Sequence, residues 1–347
     1  IALLAELGVD EEAWSAAGRS YAAMEVWDAE GTGRLRFTAA EIGAPELGRL
    51  VPHHPLALAL WQTLAREGIA CFTGASVCGL EARGDRTAVL LDDGSEVEAA
   101  LVVAADGGDS RVRSLAGIEV RTEDTGQRAI TTLVELERPH ENTAWQRFLP
   151  TGPLAFLPLP DLDGRHRVSV VWSPDADRAA AIEALDDAGF AAALAAAMEG
   201  RFGAVLAVDR RVAFPLRQRH AETYRAPGVV LLGDAAHVLH PLAGQGVNLG
   251  LKDVRVLRDE LRRPLRSPGR SRLGDPDLLY HYERIRRGEN AIMLLTMDGL
   301  KRLFAAEDLG LRWLRNQGLR WVGEAGVVKR TLLRQALGLE STAGDAA

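Results

Sequence analysis

Two cysteines, Cys71 and Cys78, are all that 347 residues contain. Their C-x6-C spacing fits no common zinc or redox pattern, and so few thiols exclude a disulfide-stapled scaffold. Both sit in strand-like context and are expected as buried free thiols in a reducing compartment. No apolar run reaches the roughly 18 residues of a spanning helix, so no membrane span is expected. The opening IALLAELGVDEEAW has neither a basic leader nor a cleavage site, so it is not expected to be a signal peptide. A cytoplasmic location follows, with peripheral contact at the inner membrane as its variant. Positive charge is not in excess: 41 Lys and Arg stand against 48 Asp and Glu, net −7. That balance disfavours a nucleic-acid partner. What remains is ordinary soluble composition, 47% hydrophobic and 26% charged, in a chain long enough for one large or two modest domains.

The pattern along the chain changes twice. Apolar Leu3, Leu4 and Leu7 followed by Gly8 predict a helix and its stop. Residues 21–40 predict a hairpin, residues 54–68 a helix ended by Gly68, and Ile69–Phe72 a strand. A second hairpin is expected over Arg83–Glu98, turning at Asp92-Asp93-Gly94. The run Ala100–Ala105 has no alternation, as expected of a parallel strand buried on both faces. From 126 to 226 strand-like stretches recur, interrupted by one Ala-rich helix over Asp177–Met198. Gly228–Leu232 returns to the buried-strand style, and helices follow. The expected fold class is α/β: a Rossmann-like domain (1–20, 41–125, 227–262), interrupted by a β-sheet domain (21–40, 126–226), plus a C-terminal helical region (275–340).

Two buried-strand runs end in an acidic residue beside glycine, Asp106-Gly107 and Gly233-Asp234. Ligands collect at the carboxyl ends of parallel strands, where a carboxylate accepts from sugar hydroxyls and glycine admits the backbone. Each corner alone reads more readily as a turn; two of them beside the glycine-rich stretch are harder to dismiss. Beyond the second lies HPLAGQGVNLG, His240–Gly250. It is no dinucleotide fingerprint, because about eleven residues separate its first glycine from the strand. The periodicity of Val247, Leu249, Leu251, Val254 and Leu257 instead starts a helix near Gln245–Asn248. Its unpaired N–H groups suit an anionic or electron-rich ring edge.

His240–Asp253, HPLAGQGVNLGLKD, resembles the signature of the FAD-dependent hydroxylases of ubiquinone biosynthesis, relatives of p-hydroxybenzoate hydroxylase. Asp106-Gly107 with Ser110 and Arg113 is similar to that family's second motif, and Gly233-Asp234 to its third. The resemblance implies that Asp234 binds the ribitol or pyrophosphate region of FAD, with Gly233 beside it. It places Asp106 and Gly107 near the pyrophosphate, Val77 at the adenine, and Pro241, Gly244, Gln245, Gly246, Val247 and Asn248 around the isoalloxazine ring. It implies hydroxylation of a prenylated phenol with O2 and NAD(P)H through a flavin hydroperoxide; no catalytic side chain is implied. The sequence departs from the pattern in lacking G-x-G-x-x-G: Gly31-x-Gly33 is followed by Arg36 and lies in a hairpin. The first βαβ unit of the FAD domain is therefore expected to be missing, on the N-terminal side of a helix that resembles the one after that unit.

Two alternatives stay open: a truncated, non-catalytic subunit of a quinone-biosynthesis complex, and a related isoprenoid reductase or epoxidase. His237-x-x-His240 has metal-like spacing but no matching carboxylate, so no metal is expected. Residues 281–334 carry eleven Lys and Arg against six Asp and Glu, with Trp313 and Trp321 among them. This pattern reads either as a helix with a solvated basic face or as a peripheral lipid or enzyme contact.

Overall fold

The computed structural model describes residues 1–31, 33–238, 246–266, 273–305 and 329. The chain forms two units, one of Leu4–Glu67, Gly126–Pro215 and Leu300–Ala347, the other of Ile1–Leu3, Gly68–Thr125 and Leu216–Gly299. Two of its crossings between them lie inside long strands, Val120–Leu136 and Val212–Ala221.

The first unit is built on a sheet that includes, side by side in this order, Val120–Leu136, His166–Trp172, Gly152–Pro158, Thr143–Leu149, Ala23–Asp28 and Arg34–Thr38. Neighbours are antiparallel except Thr143–Leu149 on Ala23–Asp28. Alternation puts Trp27, Trp145, Leu154, Phe156, Val170 and Trp172 on one face, where Ile182, Phe190 and Leu194 of two helices close over them. The guanidinium of Arg201 lies 3.9 Å above the Trp145 ring. The Ala-rich stretch is two helices, Ala176–Glu183 and Asp187–Ala197, where one was expected. Asp186 makes the break: its carboxylate accepts from the Gly189 N–H at 2.7 Å, a new helix cap that outweighs alanine's propensity to continue.

The second unit holds the parallel pair Val102–Ala104 and Val229–Leu231, with Arg225–Ala226 antiparallel on the far side. A separate antiparallel sheet joins Val77–Arg83, Arg86–Leu91 and Glu96–Ala99. Val230, Leu231, Tyr224, Leu257, Leu279 and Tyr282 share one core. The helix Gly246–Arg266 turns Leu249, Asp253, Leu257 and Glu260 inward, and Pro276–Ala305 supplies the next helix.

Two local expectations fail. Residues 67–76 carry no strand, because Gly68 and Gly74 both adopt positive φ, which interrupts extended backbone. Cys71 follows on that turn and, like Cys78 at the start of its sheet, is exposed rather than buried. Among the described residues no helix is long and apolar enough to cross a membrane.

Candidate functional site

The two acidic corners lie at the carboxyl ends of adjacent parallel strands, since Ala104 pairs with Leu231. They are tied together by Arg113. Its buried guanidinium donates to the Gly108 carbonyl at 3.0 Å and to the Ala235 carbonyl at 2.9 Å, one bond to each corner. Arg219 donates to the Gly108 carbonyl and to Asp109 as well. Burial, then the neighbouring Arg219 charge, lowers the Arg113 pKa from its ordinary value.

The corners then diverge. Asp106, although exposed, has both oxygens engaged within the fold: one accepts from Ser110 Oγ at 2.5 Å, the other from the Val112 N–H at 3.0 Å. It thus secures the start of the short helix Arg111–Leu115, while Gly107 beside it takes φ +85°. Asp234 is exposed, and its carboxylate has no partner among the described residues. Gly233 is buried at φ +60° and stands against Gly250 of the long helix; a Cβ on Gly250 would lie 3.4 Å from the Gly233 Cα. The positive φ of Gly233 favours glycine there, and a Cβ on Gly250 would already be in contact with the strand end.

Gly246, Val247 and Asn248 form the first turn of that helix. Val247 is 70% exposed and Asn248 is exposed, and a Cβ on Gly246 would meet nothing within 4 Å. Pro241, Gly244 and Gln245 lie outside the described residues. Val77 is half-buried at the start of its strand and packs on the core that holds the parallel pair. The structure therefore sets Gly233, and Asp234 beside it, against the helix at Gly250, one turn past the helix start, and joins Asp106 and Gly107 to this corner through Arg113.

The deepest part of this arrangement starts from Asp253, the last residue of the His240–Asp253 signature, and runs through partners that the motifs do not show. Asp253 is wholly buried. One oxygen accepts from the Gly233 N–H at 2.9 Å and from His237 Nε2 at 2.7 Å; the other accepts from Arg286 Nε at 2.6 Å. Arg286 Nη2 donates to Asn290, Asn290 Nδ2 donates to the Tyr224 hydroxyl, and that hydroxyl meets His220 Nε2 at 2.9 Å. The Tyr282 hydroxyl donates to the Leu231 carbonyl. Burial works to raise the Asp253 carboxyl, but the His237 hydrogen bond and the charges of His237 and Arg286 outweigh it and hold the group below its ordinary value. The sequence signal was a carboxylate at the 249, 253, 257 spacing of the helix's apolar stripe. His237, read for metal spacing, spends its Nε2 on Asp253.

Burial, then the charges of Arg287 and His237, pushes His220 down to about 4. A depressed histidine folds neutral. Between about pH 6.5 and 4 the unfolded chain takes up a proton that the folded chain refuses, so this group's stabilising share is whole above that window and is lost as pH falls through it. The melting temperature is expected to drop across that window, and His220→Gln to flatten the drop by its own share. Equal pH slopes in both proteins would exclude the histidine.

These elements suit FAD. An outward carboxylate beside a glycine corner matches a hydroxyl-bearing chain, and an open helix start with an exposed valine matches a flat, electron-rich ring edge. Residues 1–294 match the family described as FAD binding domain. Over 340 residues the chain is 38% identical to 3-demethoxyubiquinol 3-hydroxylase of Escherichia coli, covering 98% of this chain and 85% of the relative. It is 38% identical over 308 residues to a ubiquinone hydroxylase of Rhodospirillum rubrum, covering 88% and 70%. Among solved structures, p-nitrophenol 4-monooxygenase of Pseudomonas putida superposes with a TM-score of 0.76 at 19% identity, over 97% of this chain and 85% of that one. The fold is thus that of the FAD-dependent aromatic monooxygenases. Within that class, the chain belongs to the FAD-dependent hydroxylase family of ubiquinone biosynthesis.

Proposed function

We propose that this chain hydroxylates the aromatic ring of a prenylated phenol on the way to ubiquinone, consuming NAD(P)H and O2. The observation that carries the reading is the Gly233–Asp234 corner set against Gly250, one turn into the helix that begins at Gly246, in a chain related along its length to ubiquinone-pathway hydroxylases. Bound FAD would supply the redox chemistry and the activation of O2. The protein's share is placement and electrostatics. Asp234 holds the ribitol or pyrophosphate region, and Arg113 keeps the two strand-end corners in register. The unpaired N–H groups of Gly246, Val247 and Asn248 stabilise negative charge on the ring's pyrimidine edge. Pro241, Gly244 and Gln245 complete the ring's border, Val77 contacts the adenine, and Asp106 and Gly107 lie towards the pyrophosphate.

The test is NADH or NADPH consumption by the FAD-loaded protein given a short-tail prenylated phenol. Stimulated consumption and a product heavier by one oxygen atom are expected; stimulation with no mass gain would leave only a reductase. The basic segment 281–334 adds a peripheral membrane contact to this reading. Removing residues 300–347 is then expected to reduce flotation with anionic liposomes, and equal flotation would remove that contact from the proposal.

A further inference from the structure

Tyr224 is wholly buried in the unit that carries the acidic corners, and the direction of each hydrogen bond at its hydroxyl is fixed. Arg286 has only donors, so its Nη2, 3.0 Å from Asn290 Oδ1, makes that oxygen the acceptor. The Asn290 amide is thereby oriented, and its Nδ2 donates to the Tyr224 hydroxyl oxygen at 3.2 Å. The hydroxyl has one proton to place. Among the described residues its remaining partner is His220 Nε2 at 2.9 Å, and a buried hydroxyl is almost always paired. Tyr224 therefore donates to His220 Nε2, the bare nitrogen of a neutral ring. Burial and the charges of Arg287 and His237, which push His220 down to about 4, agree with that tautomer.

A phenol bonded to a neutral imidazole is set up to lose an electron and a proton together. Removing an electron from tyrosine makes its hydroxyl a strong acid, and a buried unpaired charge is costly; a base 2.9 Å away removes that cost. The other described tyrosines of this unit lack such a base. The Tyr282 hydroxyl donates to the Leu231 carbonyl, which does not take up a proton. Tyr280 is exposed, and the Arg225 guanidinium, 5.3 Å from its ring centroid, opposes loss of an electron. Position adds to chemistry. The Tyr224 ring stacks on His237, with centroids 6.0 Å apart and planes at 29°. His237 Nε2 and the Gly233 N–H donate to the same oxygen of Asp253. One ring and one carboxylate thus link Tyr224 to the backbone of the candidate FAD corner.

We propose that Tyr224 is a redox-active residue that gives an electron to FAD held at this corner, with His220 as its proton acceptor. This rests on the reading that Gly233 and Asp234 hold FAD. The oxidant is oxidised FAD excited by light. It gains one electron from Tyr224, the phenolic O–H bond breaks, and an N–H bond forms at His220 Nε2. Tyr224 is left as a neutral radical and His220 as an imidazolium; return of the electron and the proton restores both. Neither group has a part in the hydroxylation proposed above, so this electron transfer is a second, light-driven activity of the same site.

Laser-flash spectroscopy of the FAD-loaded full chain tests it, through the sharp near-ultraviolet absorption of a neutral tyrosyl radical. The wild type and Tyr282→Phe are expected to show that band, formed more slowly in heavy water. Tyr224→Phe is expected to lose it. His220→Gln keeps the tyrosine and offers it an amide acceptor but no base, and is expected to lose the band too. It also serves if phenylalanine, which leaves the Asn290 amide unpaired, disturbs folding. A band undiminished in Tyr224→Phe or in His220→Gln would overturn the pair. So would a wild type that binds FAD and shows no band, and the hydroxylase reading would stand. A wild type that takes up no FAD would overturn both.

Discussion

Arg286→Met is expected to lower the melting temperature by roughly 10 °C, because breaking a buried ion pair costs about 3–5 kcal/mol in a unit of this size. The substitution leaves the Asp253 carboxylate wholly buried, with only the Gly233 N–H and His237 to answer its charge. Asp253→Leu is expected to do similar damage from the other side, since Arg286 is then buried beside Asn290 with only the exposed Glu289 to pair with. The double variant separates stability from function. Two apolar side chains replacing the pair recover most of the loss, as buried ion pairs gain little over well-packed apolar groups. They do not give the Gly233 N–H an acceptor. The double variant is therefore expected to melt near the wild type, yet to bind FAD weakly, because the corner that aims Asp234 is no longer held. Thermal denaturation of the apoprotein and titration of FAD fluorescence read the two effects apart. A double variant that regained stability and affinity together would show the pair to be packing alone.

Much of this was legible in the sequence, and what was not shares a cause. The parallel strands Val102–Ala104 and Val229–Leu231, the hairpin strands Ala23–Asp28 and Arg34–Thr38, and the helix after the glycine-rich stretch all follow local periodicity. Local pattern also shows Asp253 on an apolar helix stripe, which requires a partner. It does not name Arg286, 33 residues downstream on another helix, because that pairing exists only once both helices pack. The same holds for Arg113: its motif position is visible, but its bond to the Ala235 carbonyl, 122 residues away, is not. Errors ran in the local direction too. An alanine run outvoted the single capping residue Asp186, and strand-like residues at 69–72 outvoted the glycines around them.

Asp234→Ala is expected to weaken FAD binding about 10- to 100-fold while leaving the apoprotein's melting temperature unchanged. The magnitude follows from hydrogen bonds to a charged acceptor, worth about 1.5–3 kcal/mol, at about 1.4 kcal/mol per decade of affinity. The unchanged stability follows from the structure, where the Asp234 carboxylate is exposed and supports no protein group among the described residues. Asp234→Asn keeps an acceptor without the charge and is expected to fall between. Asp106→Ala supplies the contrast from the neighbouring corner. Both its oxygens are engaged within the fold, by Ser110 and by the Val112 N–H. Its removal is expected to cost about 1 kcal/mol of stability, as for a lost helix cap, and to weaken FAD only through the displaced corner. On the proposed function, two aspartates at matching strand ends would carry different burdens: one spends its charge on the protein, the other would keep it for the cofactor. If Asp234→Ala destabilised the apoprotein as Asp106→Ala does, or bound FAD with wild-type affinity, that division would be wrong.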